Sequence, residues 1–199
     1  MAGDAEPGPS IRIAQDQRAD EVLSQDPFAL LVGMLLDQQF PMERAFAAPA
    51  TVLERFGTLD PAAVAAADPE EFARLCSVPP AIHRFPGSMA GRIQDVARIV
   101  VERYDGDAAR IWTGAADGAD LLRRLQALPG FGRQKAQIFT ALVAKQLGVT
   151  PDGWQQAAGD YALTGFRSVA DVVDPDSLQQ VRAHKQQLKR AAKAATADG

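Results

Sequence analysis

The stretch LPGFGRQKA, residues 128–136, combines two glycines, a proline and two basic residues. Gly130 and Gly132 can adopt positive φ, and they leave space for a ligand to approach the backbone. A helix that begins directly after them has unpaired N–H groups and the positive end of its dipole there, which together form an anion site. Arg133 and Lys135 add positive charge at the same end. The pattern favours a nucleic-acid phosphate, because amide contacts to phosphate need no particular base; the alternative is a tight turn that serves packing alone.

The elements that would position this turn are helices. Apolar residues recur at helical spacing on both sides of it, in residues 118–128 and 133–148. Residues 28–36 are almost wholly apolar, which predicts a central helix buried on most sides. No alternating run is long enough to indicate a strand, so the sequence predicts an all-α protein. Helix starts are also indicated wherever an Asp N-cap precedes a Pro at the first helical position, at Asp26–Pro27, Asp60–Pro61, Asp68–Pro69 and Asp174–Pro175.

The composition of the 199-residue chain limits its class. Hydrophobic residues make up 47% and charged residues 23%, as in ordinary globular proteins. No apolar run is long enough to span a bilayer, and the first residues do not have the pattern of a secretion signal. Cys76 is the single cysteine, which excludes an intramolecular disulfide and a four-cysteine zinc or iron–sulfur site and fits a reducing compartment. The net charge of -4 means that any contact with nucleic acid must come from a local basic patch.

The order helix, Leu-Pro-Gly-X-Gly turn, helix resembles the helix-hairpin-helix motif of the HhH-GPD family of base-excision DNA repair glycosylases, in its endonuclease III and adenine-glycosylase branches. The sequence LGVTPDGW, residues 147–154, is similar to the Gly/Pro-rich loop that follows in that family. Within it, Asp152 lies twenty residues after Gly132, the offset of the family's catalytic Asp. Upstream, residues 87–107 resemble the family's preceding helix. Residues 30–39 resemble its early core helix, so that the resemblance covers most of the chain.

The resemblance implies a two-lobed helical fold with double-stranded DNA and a flipped base in the cleft between the lobes. Residues 28–147 would form a helical bundle that ends in the hairpin. Residues 148–199 would supply the loop and C-terminal helices of the second lobe, and residues 1–27 would pack with that lobe. We expect a monomeric protein without a membrane partner, located in the cytoplasm and associated with the nucleoid.

The implied activity is hydrolysis of the N-glycosidic bond of a damaged or mispaired base. Asp152 would stabilise positive charge on the sugar and orient or deprotonate the attacking water; because Pro-Asp-Gly is also a favoured turn sequence, a plain turn residue is the alternative. Gln134 stands where bifunctional members carry their Schiff-base lysine, which implies a monofunctional enzyme. Lys135 is one residue further on, about a quarter-turn around a helix. It is predicted to contact a phosphate, and could act as a lyase nucleophile only with a shifted helix register.

Further contacts follow from the resemblance and, in the Pro-rich loop, from the residue types themselves. Gln38 and Gln39 match the glutamine that lies near the lesion, or are ordinary polar residues at a helix end. Arg84, in the Pro-rich loop of residues 77–88, would contact a phosphate beside Phe85, which would stack on a base or wedge the duplex. The family's hairpin binds a monovalent cation, K+ or Na+, through backbone carbonyls, whereas no organic cofactor and no iron–sulfur cluster is expected. The predicted DNA contacts of the hairpin are Gly130, Phe131, Gly132, Arg133, Gln134 and Lys135, and the predicted cation ligands are the carbonyls of Gln126, Leu128 and Phe131.

Two other functions compete with the enzyme. A non-catalytic DNA-binding protein with this fold is favoured by the acidic net charge and by Asp152, which lacks the family's usual flanking residues. A structural helical protein without a nucleic-acid role is the more distant alternative. The basic C-terminal tail, with Arg182, Lys185 and Lys189, is either the solvated end of a final helix or a supplementary DNA contact.

Overall fold

A computed structural model describes residues 11–197 of the chain. This part of the chain consists of α-helices, two short 3-10 helices and loops, and it contains no strand. The prediction of an all-α protein is therefore confirmed. The helices are α1 (Gln17–Gln25), α2 (Pro27–Leu36), α3 (Met42–Phe56), α4 (Pro61–Ala66), α5 (Pro69–Ser77), α6 (Pro86–Tyr104), α7 (Arg110–Thr113), α8 (Gly118–Gln126), α9 (Arg133–Leu147), α10 (Trp154–Ala158) and α11 (Pro175–Ala197), with 3-10 helices at Gly159–Ala162 and Val169–Asp171.

The four Asp–Pro pairs all start helices, because each Asp side chain satisfies an otherwise unpaired N–H group of the first turn. Asp26 accepts a hydrogen bond from the backbone N–H two residues later at 2.8 Å. Asp60, Asp68 and Asp174 accept from the N–H three residues later, at 3.0, 2.9 and 2.7 Å. Local sequence alone is sufficient for these caps, which is why they were predictable.

Helix α2 is the centre of the core, as its composition predicts. Every residue from Phe28 to Leu36 is buried. Gly33 lets α3 cross closely, since a Cβ at this position would lie 2.6 Å from the Phe46 ring. The chain leaves α2 at its C-terminal end through residues 37–41, and this short segment becomes part of the candidate site.

The helices divide into two lobes. Helices α1 to α6 pack mainly on one another, and α8 and α9 pack mainly on each other, on α10 and on the 3-10 helices. The lobes meet where the turn between α8 and α9 lies against the end of α2. One continuous hydrophobic core runs through both.

The lobe boundaries differ from the predicted ones. Helices α8 and α9, predicted to belong to the bundle of residues 28–147, share a lobe with residues 154–171, because the chain turns at residues 148–153 and α10 packs back along both helices. Helix α1, predicted to pack with the second lobe, packs on α2 and α3. The residues just before α1, among them Arg12 and Gln15, also lie beside Asp174 and Pro175. The predicted N-terminal segment includes residues 1–10, which lie outside the described residues.

Candidate nucleic-acid interface

The turn between α8 and α9, residues 127–132, is built by its glycines. Gly130 has a φ of 80°, a conformation that residues with a Cβ rarely adopt. A Cβ at Gly130 would also lie 2.6 Å from Leu35 Cδ1, so the absence of a side chain lets the turn dock on the end of α2. Gly132 has an ordinary φ of −69° and open space where a Cβ would point. The two glycines therefore do different things: Gly130 shapes the turn, and Gly132 keeps its outer surface clear.

The first turn of α9 has the free amides that an anion site needs. Gly132 is its N-cap, and no side chain caps the helix. The N–H groups of the first turn thus lack a protein acceptor within residues 11–197, and the helix dipole is positive here. Arg133 and Gln134 are exposed beside them. Phosphate binding by this turn remains a prediction for which the structure supplies suitable geometry.

The sequence predicts that Lys135 reaches the surface, but its side chain extends inward. Its Nζ donates a hydrogen bond to the Leu35 carbonyl at 2.9 Å, so the ammonium ties the hairpin to the end of α2. Burial lowers the pKa of Lys135 to about 8; Asp37 opposes this shift, and Arg92 and Lys185 add to it. The predicted phosphate contact by Lys135 is corrected to an internal anchor. The reason is the quarter-turn between positions 134 and 135, which points one side chain outward and the next toward α2.

A cleft of about 740 Å³ lies beside the hairpin. One wall is the segment between α2 and α3, a second is α11, and Gln134 borders it from the hairpin. Gln134 also donates a hydrogen bond to the Tyr161 hydroxyl at 2.9 Å, which fixes the amide at the edge of the cleft. The lining residues share a position at the junction of the lobes: Asp37, Gln38, Gln39, Phe40, Pro41, Met42, Gln134, Arg182, Lys185, Gln186, Leu188 and Lys189.

The cleft contains a carboxylate that sequence reasoning missed. The side chain of Asp37 is only 10% exposed, and its contact with Lys185 is an ion pair at 3.7 Å, too long for a hydrogen bond. Nearby, Arg182 pairs with Glu43, so α11 brings a cation to each of two carboxylates. A signal existed in the sequence: Asp37 is the first charged residue after the apolar run of residues 27–36.

Gln38 and Gln39 line this cleft, and a place next to the lesion stays a prediction for them. Gln39 is exposed and has a φ of 52°, which turns the chain sharply after α2. The backbone of Gln38 is held by His83: the Phe85 N–H donates to His83 Nδ1 at 3.0 Å, so that Nε2 carries the proton and donates to the Gln38 carbonyl at 2.8 Å. This buried histidine is a positioning residue, a role that its sequence context did not indicate.

Arg84 lies beside a second, smaller cavity without lining it. This cavity of about 290 Å³ is lined by Gln38 and Gln39 on one side and by residues of the segment 83–92 on the other. Phe85, 48% exposed, lines it, and the Arg84 guanidinium lies over the Phe85 ring at 5.4 Å from its centroid. An exposed aromatic ring stacked with a cation is a surface on which an unpaired base can stack.

The structure places Asp152 away from both cavities. Its carbonyl accepts a hydrogen bond at 2.8 Å from the N–H of Gly118, the first residue of α8, and its side chain is exposed. The turn lies at the other end of α8, and α9 alone spans roughly 22 Å at 1.5 Å per residue. Because α9 continues to Leu147, residues 148–153 are too few to return to the cleft. The structure thus brings Gln38, Gln39 and Gln134 together but leaves Asp152 apart, with Trp154 packed beside it against the start of α8.

The carbonyls predicted to hold a monovalent cation are mostly available. Among the described residues, no backbone N–H pairs with the carbonyls of Gln126 and Phe131, whereas that of Leu128 accepts from the Phe131 N–H at 3.1 Å. A carbonyl oxygen has two lone pairs, so Leu128 keeps one. The donor set is all oxygen, which suits a hard cation such as K+ or Na+. These residues therefore fit the implied ion.

The chain matches a protein-family model over most of its length. The family model described as HhH-GPD superfamily base excision DNA repair protein matches residues 32–197. No curated protein and no solved structure matches the chain. Within residues 11–197, no helix has the length and apolar character needed to cross a bilayer. The matched range contains the hairpin, the segment after α2 and α11, and on this basis the chain belongs to the HhH-GPD superfamily of base excision DNA repair proteins.

Proposed function

We propose that this protein is a monofunctional DNA glycosylase that hydrolyses the N-glycosidic bond of a damaged or mispaired base in double-stranded DNA. The observation that supports it is the cleft of about 740 Å³ next to the hairpin, which has room for a base turned out of the duplex. Phe40 and Met42 give it apolar surface, and Gln38, Gln39 and Gln134 give it amides for the polar edge of a base.

The surroundings of the cleft suit a bent duplex. The free amides of α9 and the exposed Arg133 would hold one phosphate, and Arg182, Lys185 and Lys189 of α11 would face others across the cleft. Gln39, which is exposed at the rim, would fill the space that a flipped base leaves in the stack. A cation on the carbonyls of Gln126, Leu128 and Phe131 would add positive charge beneath the phosphate at the hairpin. The protein is proposed to act as a monomer.

Hydrolysis without strand cleavage is proposed because the hairpin offers no free amine to the sugar, and the cleft lysines of α11, Lys185 and Lys189, are assigned to phosphates. An amide at position 134 cannot form a Schiff base, and the Lys135 amine is bound to Leu35 behind the hairpin. Water is then the nucleophile at the sugar, and an intact strand with an abasic site is the product.

The non-catalytic DNA-binding protein stays the second candidate, since the predicted catalytic Asp152 lies apart from the cleft. A panel of duplexes, each with one lesion or mismatch, distinguishes the two. We expect alkali-labile abasic sites on at least one duplex and no borohydride-trapped protein–DNA adduct. Tight binding with no base release on every duplex would support the binder. A trapped adduct that disappears in Lys135→Ala would instead show a bifunctional enzyme.

A further inference from the structure

We propose that Asp37, rather than Asp152, is the carboxylate that acts on the sugar in the glycosylase reaction. The inference rests on the proposed function and names the catalytic group of that same cleft. It starts from a nearly buried, charged side chain that lines the cleft between the lobes and that packing does not explain.

The position of Asp37 is fixed by its helix. It is the C-cap of α2, and its N–H donates to the Met34 carbonyl at 3.3 Å. Residues 28–36 of α2 are all buried, so this end of the helix cannot shift without disturbing the core. A reacting carboxylate needs a rigid base of this kind, because misplacement by about 1 Å can cost a factor of 10².

The carboxylate of Asp37 is poorly satisfied by the protein. Carboxylates that are almost completely buried usually accept several hydrogen bonds. Asp37 has Lys185 at 3.7 Å, and within residues 11–197 this is its ion-pair partner. Its lone pairs therefore remain for a water molecule or for a sugar in the cleft. Its neighbour Glu43 pairs with Arg182 through Oε1 and has a buried Oε2 without a hydrogen-bond partner among the described residues, but unlike Asp37 it does not line the cleft.

Two cations lie close to the carboxylate of Asp37. Lys185 lies across the cleft, and Lys135 is close enough for the charge of Asp37 to act on its pKa. An ionised carboxylate stabilises the positive charge that builds on the deoxyribose as the glycosidic bond breaks. Lys185 is 37% exposed and makes no hydrogen bond to Asp37 at 3.7 Å, so on binding it can transfer to a DNA phosphate, which would leave the carboxylate facing the sugar.

The balanced step is a displacement by water. The C1′–N bond breaks, and its electron pair leaves with the base, which takes up a proton from solvent. Water adds to C1′ and gives a proton to the Asp37 carboxylate, and Asp37 then returns that proton to solvent. The products are the free base and an abasic sugar with a hydroxyl at C1′.

Two other carboxylates are the natural controls. Asp152 lies at the far end of α8 and α9, and Asp160 is exposed in a 3-10 helix next to Tyr161, which bonds Gln134. Neither lines the cleft. Changing each to Asn keeps the shape and removes the charge, so the three variants test position alone.

The experiment is single-turnover base release on a duplex that the wild type cleaves, with DNA affinity measured in parallel. We expect Asp37→Asn to lower the rate by about 10²-fold or more, with DNA binding unchanged or tighter because a negative charge has been removed. Asp152→Asn and Asp160→Asn should release base within about twofold of the wild type. An Asp37→Asn enzyme with full rate overturns the inference, whereas a wild type that is inert on every lesion overturns the proposed function instead.

Two further variants separate catalysis from structure. Lys185→Met removes the partner of Asp37 and keeps the carboxylate, so it should weaken DNA binding but retain far more base release than Asp37→Asn. Equal losses of base release in the two variants would make Asp37 an anchor for α11 and overturn the inference.

Asp37→Ala provides a chemical test: added formate should restore part of its base release, since a small carboxylate can occupy the vacated position. Failure of formate to raise the rate of a folded Asp37→Ala protein, judged by circular dichroism, also counts against it.

Discussion

The hairpin turn and the segment of residues 148–153 look alike in sequence but differ in structure. Each contains glycine and proline between two helices, with a charged residue inside the segment (Asp152) or directly after it (Arg133). The hairpin docks on the end of α2 beside the cleft, with Gly130 against Leu35. Residues 148–153 lie at the opposite end of the same two helices, where Gly118 packs against Gly153 and Trp154. The difference teaches that a motif which determines its own geometry is a safer guide to a site than a residue placed by spacing.

The largest expected effect concerns the hairpin and is the pH dependence of stability that Lys135 causes. Lys135 has a pKa of about 8 in the folded protein, lowered from 10.5 chiefly by burial. Between about pH 8 and pH 10.5, Lys135 keeps its proton in the unfolded chain but has lost it in the folded protein. Folding therefore becomes more favourable as the pH rises through this window. Relative to Lys135→Met, the free energy of unfolding of the wild type should rise by up to about 3 kcal/mol from pH 7 to pH 10.5. Urea unfolding at several pH values measures it, and parallel curves for the two proteins would show that Lys135 is not buried as an anchor.

The second prediction breaks the turn itself. Gly130→Ala places a side chain at positive φ and against Leu35, which should lower the free energy of unfolding by about 1–3 kcal/mol. Gly132→Ala is the matched control, because its φ is ordinary and its Cβ meets open space. We expect near-wild-type stability for Gly132→Ala but weaker DNA binding, since the added methyl group lies where a phosphate would approach. Equal stability of both variants in thermal unfolding would contradict the different roles of the two glycines.

The third prediction compares two cations of the hairpin. Arg133 is exposed beside the free amides, whereas Lys135 is turned to Leu35. Arg133→Ala should make the slope of log affinity against log salt less steep by about 0.9, the value for one phosphate contact. Lys135→Met should leave that slope unchanged at a pH and temperature where it is folded. The opposite result, with the slope changed only in Lys135→Met, would return Lys135 to the DNA interface.

The smallest expected effect concerns Asp152, in the segment of residues 148–153. Asp152 is exposed, and it contributes to the fold through its backbone carbonyl, which any residue supplies. Asp152→Ala should therefore change the free energy of unfolding by less than about 0.5 kcal/mol, as is usual for surface substitutions. Gly118→Ala is the contrasting variant, because its Cβ would lie 2.6 Å from the backbone of Gly153 and Trp154. A large loss of stability in Asp152→Ala would mean that its side chain holds the segment in place.

The sequence by itself determined the helices and the chemistry of the hairpin. Asp–Pro caps, apolar spacing and the turn glycines act through residues within one or two turns of each other, so local physics is enough to predict them. The tertiary structure decided which side chains share the cleft. Lys135 meets Leu35 a hundred residues away, Asp37 meets Lys185 of α11, and Gln134 meets Tyr161. Such contacts depend on where helices cross and how far α9 extends before the chain turns, quantities set by packing of the whole core rather than by the spacing that pointed to Asp152.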